Sequence, residues 1–216
     1  MLSPRTGVCK HQTQTIISTH SLLGLTSHPV TTDQLAISMG ERYEILINFE
    51  NHANQNITLK NGRGIGENID YAATDLVMQF NVGESVTDTT NNGPASASLR
   101  DIPPVPTTQV IKDFTFMRTE GVNGEWVVNG VGFSDIKHRI LTKPTSGTEE
   151  IWTFRNLNGG GTHPIHIHLV DFHVLSRTGG RNFVLPYESA GMKDIVWLAG
   201  GETVQVVARY APWNGV

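Results

Sequence analysis

One cysteine, Cys9, stands in 216 residues, so no disulfide forms within the chain and cysteine usage assigns no redox compartment. Its neighbours Lys10 and His11 belong to a polar stretch without periodicity, and a free thiol in an irregular terminal segment is expected. No run approaches the roughly 20 apolar residues that a membrane-spanning helix needs. Residues 1–15 lack the apolar core of a secretory signal, and Ile16–Leu25 is interrupted by Ser, Thr and His. Basic residues are outnumbered, 16 Lys and Arg against 20 Asp and Glu, and they are scattered without an aromatic platform. Neither a nucleic-acid partner nor a membrane partner is expected from such a pattern. Long helical periods are also scarce.

What the sequence has in place of helices is turns. It holds 22 Gly and 10 Pro, and Asn-Gly recurs at Asn61, Asn92, Asn123, Asn129, Asn158 and Asn214. Asn-Gly between apolar runs is the strongest short-range hairpin signal, so an all-β sandwich or barrel is expected. Leu35–Phe49 reads as two neighbouring strands around Gly40-Glu41-Arg42, and Leu76–Val82 as another strand. Asn56-Ile57-Thr58 is an N-glycosylation sequon, a weak pointer to secretion. The glycines at 62, 64 and 66 could suggest a phosphate loop, but no helix pattern follows them. Leu99–Pro106 is proline-rich and extended, which divides the chain into an unassigned segment 1–15, a domain 16–98, a linker 99–108 and a domain 109–216. In the second domain, strands are expected at Val110–Met117, Trp126–Val128, Glu149–Leu157, Phe183–Leu185, Asp194–Leu198 and Glu202–Tyr210.

The chemistry concentrates between His163 and His173, four histidines in an otherwise apolar, strand-like stretch. From Ile165 the alternation Ile, His, Ile, His has period two, which puts His166 and His168 on one face about 6–7 Å apart along the backbone. His163, an odd number of residues earlier and beyond Pro164, then points toward a separate site. Imidazole serves zinc, copper, iron and nickel alike, and the pair can converge on one ion or serve two. A lone histidine among apolar residues is usually a hydrogen-bonded core residue, and for His173, the weakest member of the group, an ordinary polar contact is expected. Burying several imidazoles without ligands is costly, which favours a metal role for the other three. A cupin-type metal site fits half of its first motif but lacks the glutamate, Phe172 and His173 standing there instead. A zinc hydrolase signature is out of register at Asp171 and His173.

His163-Pro164-Ile165-His166-Ile167-His168-Leu169, with Phe172, resembles the HPxHxHLxxF motif of multicopper oxidases of the bilirubin oxidase and laccase-like branch. Pro186–Ser189, Lys193–Leu198, Tyr210-Ala211-Pro212, Ser38–Glu44 and Leu99–Pro103 resemble segments of the same branch, from about residue 16 onward. The resemblance implies incomplete cupredoxin-like (plastocyanin-like) Greek-key sandwiches, most of a second domain and the front of a third. It implies copper as cofactor, with His163 a type 1 ligand, His166 a type 2 ligand and His168 a type 3 ligand. The implied reaction couples one-electron oxidation of a phenolic or bilirubin-like small-molecule reductant to reduction of dioxygen to water, outside the cell. The branch's paired-histidine motifs and its His-Cys-His segment are not in these residues, and Cys9 cannot replace the latter. A fragment that is inactive alone and poorly soluble is therefore expected, the alternative being a non-catalytic copper-binding or interaction module.

Overall fold

The structure, a computed structural model, describes residues 7–19, 26–61, 76–89, 93–120, 124–157 and 161–210, the side chains of 7–19 excepted. The glycine-rich segment 62–66, Asn92, Asn123, Asn158, Asn214 and the stretch 211–216 lie outside these residues. The chain divides into two compact units, Met1–Ile102 and Pro103–Val216. Among the described residues no helix is long and apolar enough to cross a membrane.

The first unit holds one antiparallel sheet of β1 (Gly7–Thr19), β2 (Val30–Ile37), β3 (Tyr43–Ile47), β4 (Asn56–Asn61) and β5 (Leu76–Asn81). Its spine is β1. One side of β1 pairs with β2, from Gly7 opposite Ile37 to Ile17 opposite Val30. The other side takes β4 at Cys9 and Lys10 and β3 from Thr15 to Thr19. Two expectations are corrected here. The runs within Leu35–Phe49 are not paired with each other, because each takes a different edge of β1. Gly40, at φ 78°, turns the chain between them, and the buried Glu41 carboxylate accepts the Ser38 N–H at 2.6 Å. Cys9 lies within β1 opposite Leu35 and Asn61, so partner strands supply the order its polar surroundings do not suggest.

The second unit holds a six-stranded sheet in the order β11-β13-β9-β6-β7-β8 and a separate pair, β10 with β12. The strands are β6 (Ile111–Arg118), β7 (Trp126–Val128), β8 (Val131–Gly132), β9 (Thr148–Asn156), β10 (His163–His166), β11 (Phe172–Thr178), β12 (Ile195–Leu198) and β13 (Thr203–Tyr210). Among the described residues only β6 and β9 run parallel; their connection carries β7 and β8. The hairpin between β7 and β8 turns at Asn129 (φ 53°) and Gly130 (φ 78°), the two left-handed positions a type I′ turn demands. Phe172, Val204 and Val206 from the large sheet and Val196 and Leu198 from β12 have no exposed surface and form one cluster with Phe114, Phe154 and Ile167. At about 1.5–3 kcal/mol for each fully buried side chain, this cluster is what holds the β10–β12 pair over the large sheet.

The histidine stretch is not one strand. Leu169 takes φ 69°, a left-handed conformation that ends the strand pattern between β10 and β11, and the two strands enter different sheets. Phe183–Leu185 is not a strand either. It leads into α1 (Pro186–Ser189), where proline fits the first helical position and the Glu188 carboxylate accepts the Leu185 N–H at 2.9 Å.

Candidate metal centre

Antiparallel pairing with β12 sets His163 opposite Leu198, Pro164 opposite Trp197, Ile165 opposite Val196 and His166 opposite Ile195. Pro164 is tolerated because β10 has a strand on only one side. His163 is half-buried between two aromatic rings. Phe116 stacks on it with centroids 5.6 Å apart, and Trp126 meets it edge-on at 4.8 Å. Its Nε2 is buried without a hydrogen-bond partner, and burial holds its pKa below 6.5, which keeps the ring neutral. A neutral imidazole with a buried open nitrogen is the form that binds a metal ion.

His166 and His168 form a different group, their rings 5.0 Å apart at 61°. His166 Nδ1 donates to the Asp194 carbonyl at 2.8 Å, with the Asp194 carboxylate 3.8 Å away. A carbonyl only accepts, so Nδ1 carries the proton and Nε2 is left with its lone pair, as in metal-bound histidines whose second nitrogen is tied to the protein. His168 follows in the turn beyond β10, before the left-handed Leu169. Both imidazoles border an open cavity of about 810 Å³ walled by Phe114, Phe116, Trp152, Phe154 and Tyr210. Burial and Glu150 raise the pKa of the Tyr210 hydroxyl there, and it stays protonated. Among the described residues no three His, Cys, Asp or Glu side chains gather as one ion would require. The donor chemistry nevertheless fits copper, for which imidazole is a preferred ligand.

His173 stands apart. It is buried on β11, its pKa held below 6.5 by burial against the opposing pull of a hydrogen bond to the Pro103 backbone. The sequence offered no spacing from which to find Phe116 or Trp126, which come from strands far upstream. A buried ion network was equally hidden. Arg177 donates to Glu188 at 2.6 Å, to Glu202 at 3.0 Å and to the Trp197 carbonyl at 2.8 Å, and Arg181 donates to both Glu188 oxygens at 2.9 Å. Burial alone raises the Glu188 pKa, but the two guanidinium groups and the Leu185 N–H outweigh it and hold the carboxyl below its ordinary value. The network ties β11, α1 and the β12–β13 turn to the back of the strand that registers β10.

The fold is that of the cupredoxin-like β-sandwich proteins. McoA multicopper oxidase from Aquifex aeolicus superposes with a TM-score of 0.74 at 24% identity, over 98% of this chain and 47% of that one. A laccase from Pediococcus acidilactici gives 0.72 at 22% identity, over 96% and 42%. Within that class, the chain belongs to the multicopper oxidase family, whose model matches residues 102–216. It is 48% identical to bilirubin oxidase of Albifimbria verrucaria over 89% of its own length. It is 28% identical to a laccase of Bacillus stratosphericus over 93%, and 28% identical to cell division protein FtsP of Photorhabdus laumondii over 82%. The chain spans 34% of the bilirubin oxidase and 42% of that laccase.

Proposed function

We propose that the chain supplies part of the copper ligation of an oxidase, with His163 at a type 1 copper, His166 at a type 2 copper and His168 at a type 3 copper. The reading is carried by the buried, partnerless Nε2 of His163, set apart from a pair of imidazoles of which one has its tautomer fixed by Asp194. Copper, when bound, supplies one-electron oxidation of a phenolic or bilirubin-like reductant and the reduction of dioxygen to water. The protein's own part is positional. Phe116 and Trp126 keep water from His163, Asp194 aims Nε2 of His166, and the β10–β12 register fixes the spacing of His163 and His166. The remaining donors, a thiolate among them, come from outside the described residues. Domains of about 16–98 and 109–216 around a proline-rich linker complete the reading.

Electron paramagnetic resonance of the purified chain with added copper(II) tests this. Nitrogen coupling from imidazole is expected, reduced in His163→Ala and reduced independently in His166→Ala with His168→Ala. Spectra unchanged when all three are replaced would sink the proposal. A second reading, a copper-binding module without turnover, is favoured by the relative named for cell division rather than oxidation. Copper bound at these histidines with no dioxygen consumption in the protein carrying its full ligand set would select it.

A further inference from the structure

We propose that Trp152 and Tyr210 form a redox-active pair, with Glu150 as its proton acceptor, that drains oxidising equivalents from the metal centre at His166 and His168 when no reductant is at hand. The proposal rests on the reading of those two histidines as copper ligands and gives the site an activity beyond it.

One face of the large sheet carries the arrangement. Glu150, Trp152 and Phe154 are alternate residues of β9, so they project from the same side. Tyr210, the last residue of β13, is opposite Thr148 and therefore shares that side. Its ring meets Trp152 with centroids 5.6 Å apart at 33°, and Phe114 of β6 packs on the same indole at 4.6 Å. Among aromatic side chains, tryptophan and tyrosine give up one electron most readily, and phenylalanine does so least. Trp152 and Tyr210 border the same cavity as His166 and His168. An oxidising equivalent leaving either imidazole thus meets two oxidisable rings across one apolar space.

The indole N–H is bonded to a charge. Trp152 Nε1 donates to Glu150 Oε2 at 2.8 Å, and Glu150 is 5% exposed. A buried carboxylate is a costly acceptor for an N–H that a neutral oxygen would satisfy. Redox chemistry gives it a use. An indole that loses one electron becomes a strong acid at Nε1, and its proton crosses the existing hydrogen bond to Glu150. Trp152 is then a neutral radical and Glu150 a neutral acid, so no charge is left buried. In the second step Tyr210 gives one electron to Trp152, and Glu150 returns the proton to Nε1. The phenol proton passes to Glu150, the carboxylate whose charge the Tyr210 hydroxyl feels. Among the described residues that hydroxyl has no hydrogen-bond partner, so no other acceptor competes for its proton. In sum Tyr210 loses one electron and one proton, the oxidant at the copper ions gains the electron, and Glu150 holds the proton.

Pulse radiolysis with azide radicals, which take one electron from tryptophan, tests the pair without any copper. In the dilute chain a concentration-independent phase is expected, in which a tryptophan-radical band gives way to a tyrosyl-radical band. The chain holds four Trp and four Tyr, so variants assign the phase. Trp152→Phe and Tyr210→Phe should each abolish it, and Glu150→Gln should slow it by roughly a hundredfold, the effect of one positioned proton acceptor. Circular dichroism establishes that each variant is folded, and Tyr210→Phe, which removes a single hydroxyl, serves if Trp152→Phe is not. No such phase in the parent, the same phase in folded Tyr210→Phe, or an unchanged rate in Glu150→Gln overturns the proposal. With copper(II) and hydrogen peroxide, oxidation products found by peptide mapping should lie on Trp152 and Tyr210 in the parent and be lost from both in His166→Ala with His168→Ala. Products that spare both rings in the parent overturn the link to the metal centre. If the radiolysis phase behaves as expected while the products are unchanged in the double variant, the pair stands and the copper reading of the two histidines falls.

Discussion

Leu169 is the residue on which the candidate site turns, because it is a branched side chain in left-handed backbone immediately after His168. Such a conformation costs a non-glycine residue about 1–2 kcal/mol. The chain bears this cost where it must leave β10, and the exposed Leu169 side chain does little to offset it. Replacing it by Gly and by Ala separates the causes, since both remove the side chain and only Gly removes the steric conflict. Leu169→Gly is expected to melt a few degrees above Leu169→Ala, about 1 kcal/mol apart, by differential scanning calorimetry. Equal melting temperatures would mean that the turn is unstrained. His173 gives a pH-dependent counterpart. Its folded pKa lies below the unfolded value of 6.5, so on acidification the unfolded chain takes up the proton first. The stability it contributes is complete above about pH 6.5 and declines as the pH falls from there toward the folded pKa. Glu188, lowered from 4.5, loses its contribution only at more acidic pH, so the two windows are separate. The melting temperature should therefore drop between about pH 7 and pH 5, with a shallower slope in His173→Gln. Parallel slopes would remove His173 from the account.

At the level of elements, β10 holds its histidines in register because β12 does, and β12 is held from behind by Arg177 through the Trp197 carbonyl. Buried ion pairs of this kind add little over an apolar core, but removing one partner leaves an uncompensated charge at a cost of about 3–5 kcal/mol. Glu188→Ala takes the carboxylate from Arg181 and one of two from Arg177, which keeps Glu202, so a loss of that size is expected in urea unfolding followed by fluorescence. A loss below about 1 kcal/mol would place the network in the class of screened surface pairs. None of this was legible in the sequence, where Arg177, Arg181, Glu188 and Glu202 are ordinary charged residues near turns. The strands were legible, because alternation and turn chemistry are local: Trp126–Val128 and Asn129-Gly130 stand where they were expected. Partner choice is long-range, and there the reading failed for the two runs of Leu35–Phe49, which take opposite edges of β1. It failed also at Phe183–Leu185, where Pro186 and the carboxylate of Glu188 open a helical turn that three apolar residues do not announce. Of the candidate site, parity set His163 apart from His166 and His168, and the structure has the latter two rings 5.0 Å from each other and His163 between Phe116 and Trp126. The rings that clasp His163 were not legible, since Phe116 and Trp126 are apolar strand residues like any others until β6 and β7 are folded beside it.

For the molecule as a whole, apolar surface left exposed among the described residues includes two clusters, one in each unit. In the second it is the stretch after β8, where Phe133, Ile136 and Ile140 are 83%, 72% and 66% exposed. In the first it is β5, the last strand of its sheet, where the consecutive residues Leu76, Val77 and Met78 are 60%, 59% and 54% exposed. Consecutive strand residues face opposite ways, so β5 shows apolar side chains on both faces as well as a backbone edge unpaired among the described residues. An edge of this kind templates pairing with another chain, and a net charge of −4 over 216 residues gives little repulsion to oppose it. The chain should therefore self-associate as its concentration rises, seen as a growing weight-average sedimentation coefficient. Val77→Lys puts a charge on the edge without touching the core cluster, and it should restore a monomer over the same range while leaving the melting temperature within about 0.5 kcal/mol of the parent's stability. A lysine variant that associates as strongly as the parent would acquit β5. The exposed residues Phe133, Ile136 and Ile140 of the second unit would then be the adhesive surface, because no burial within the described residues removes them from water.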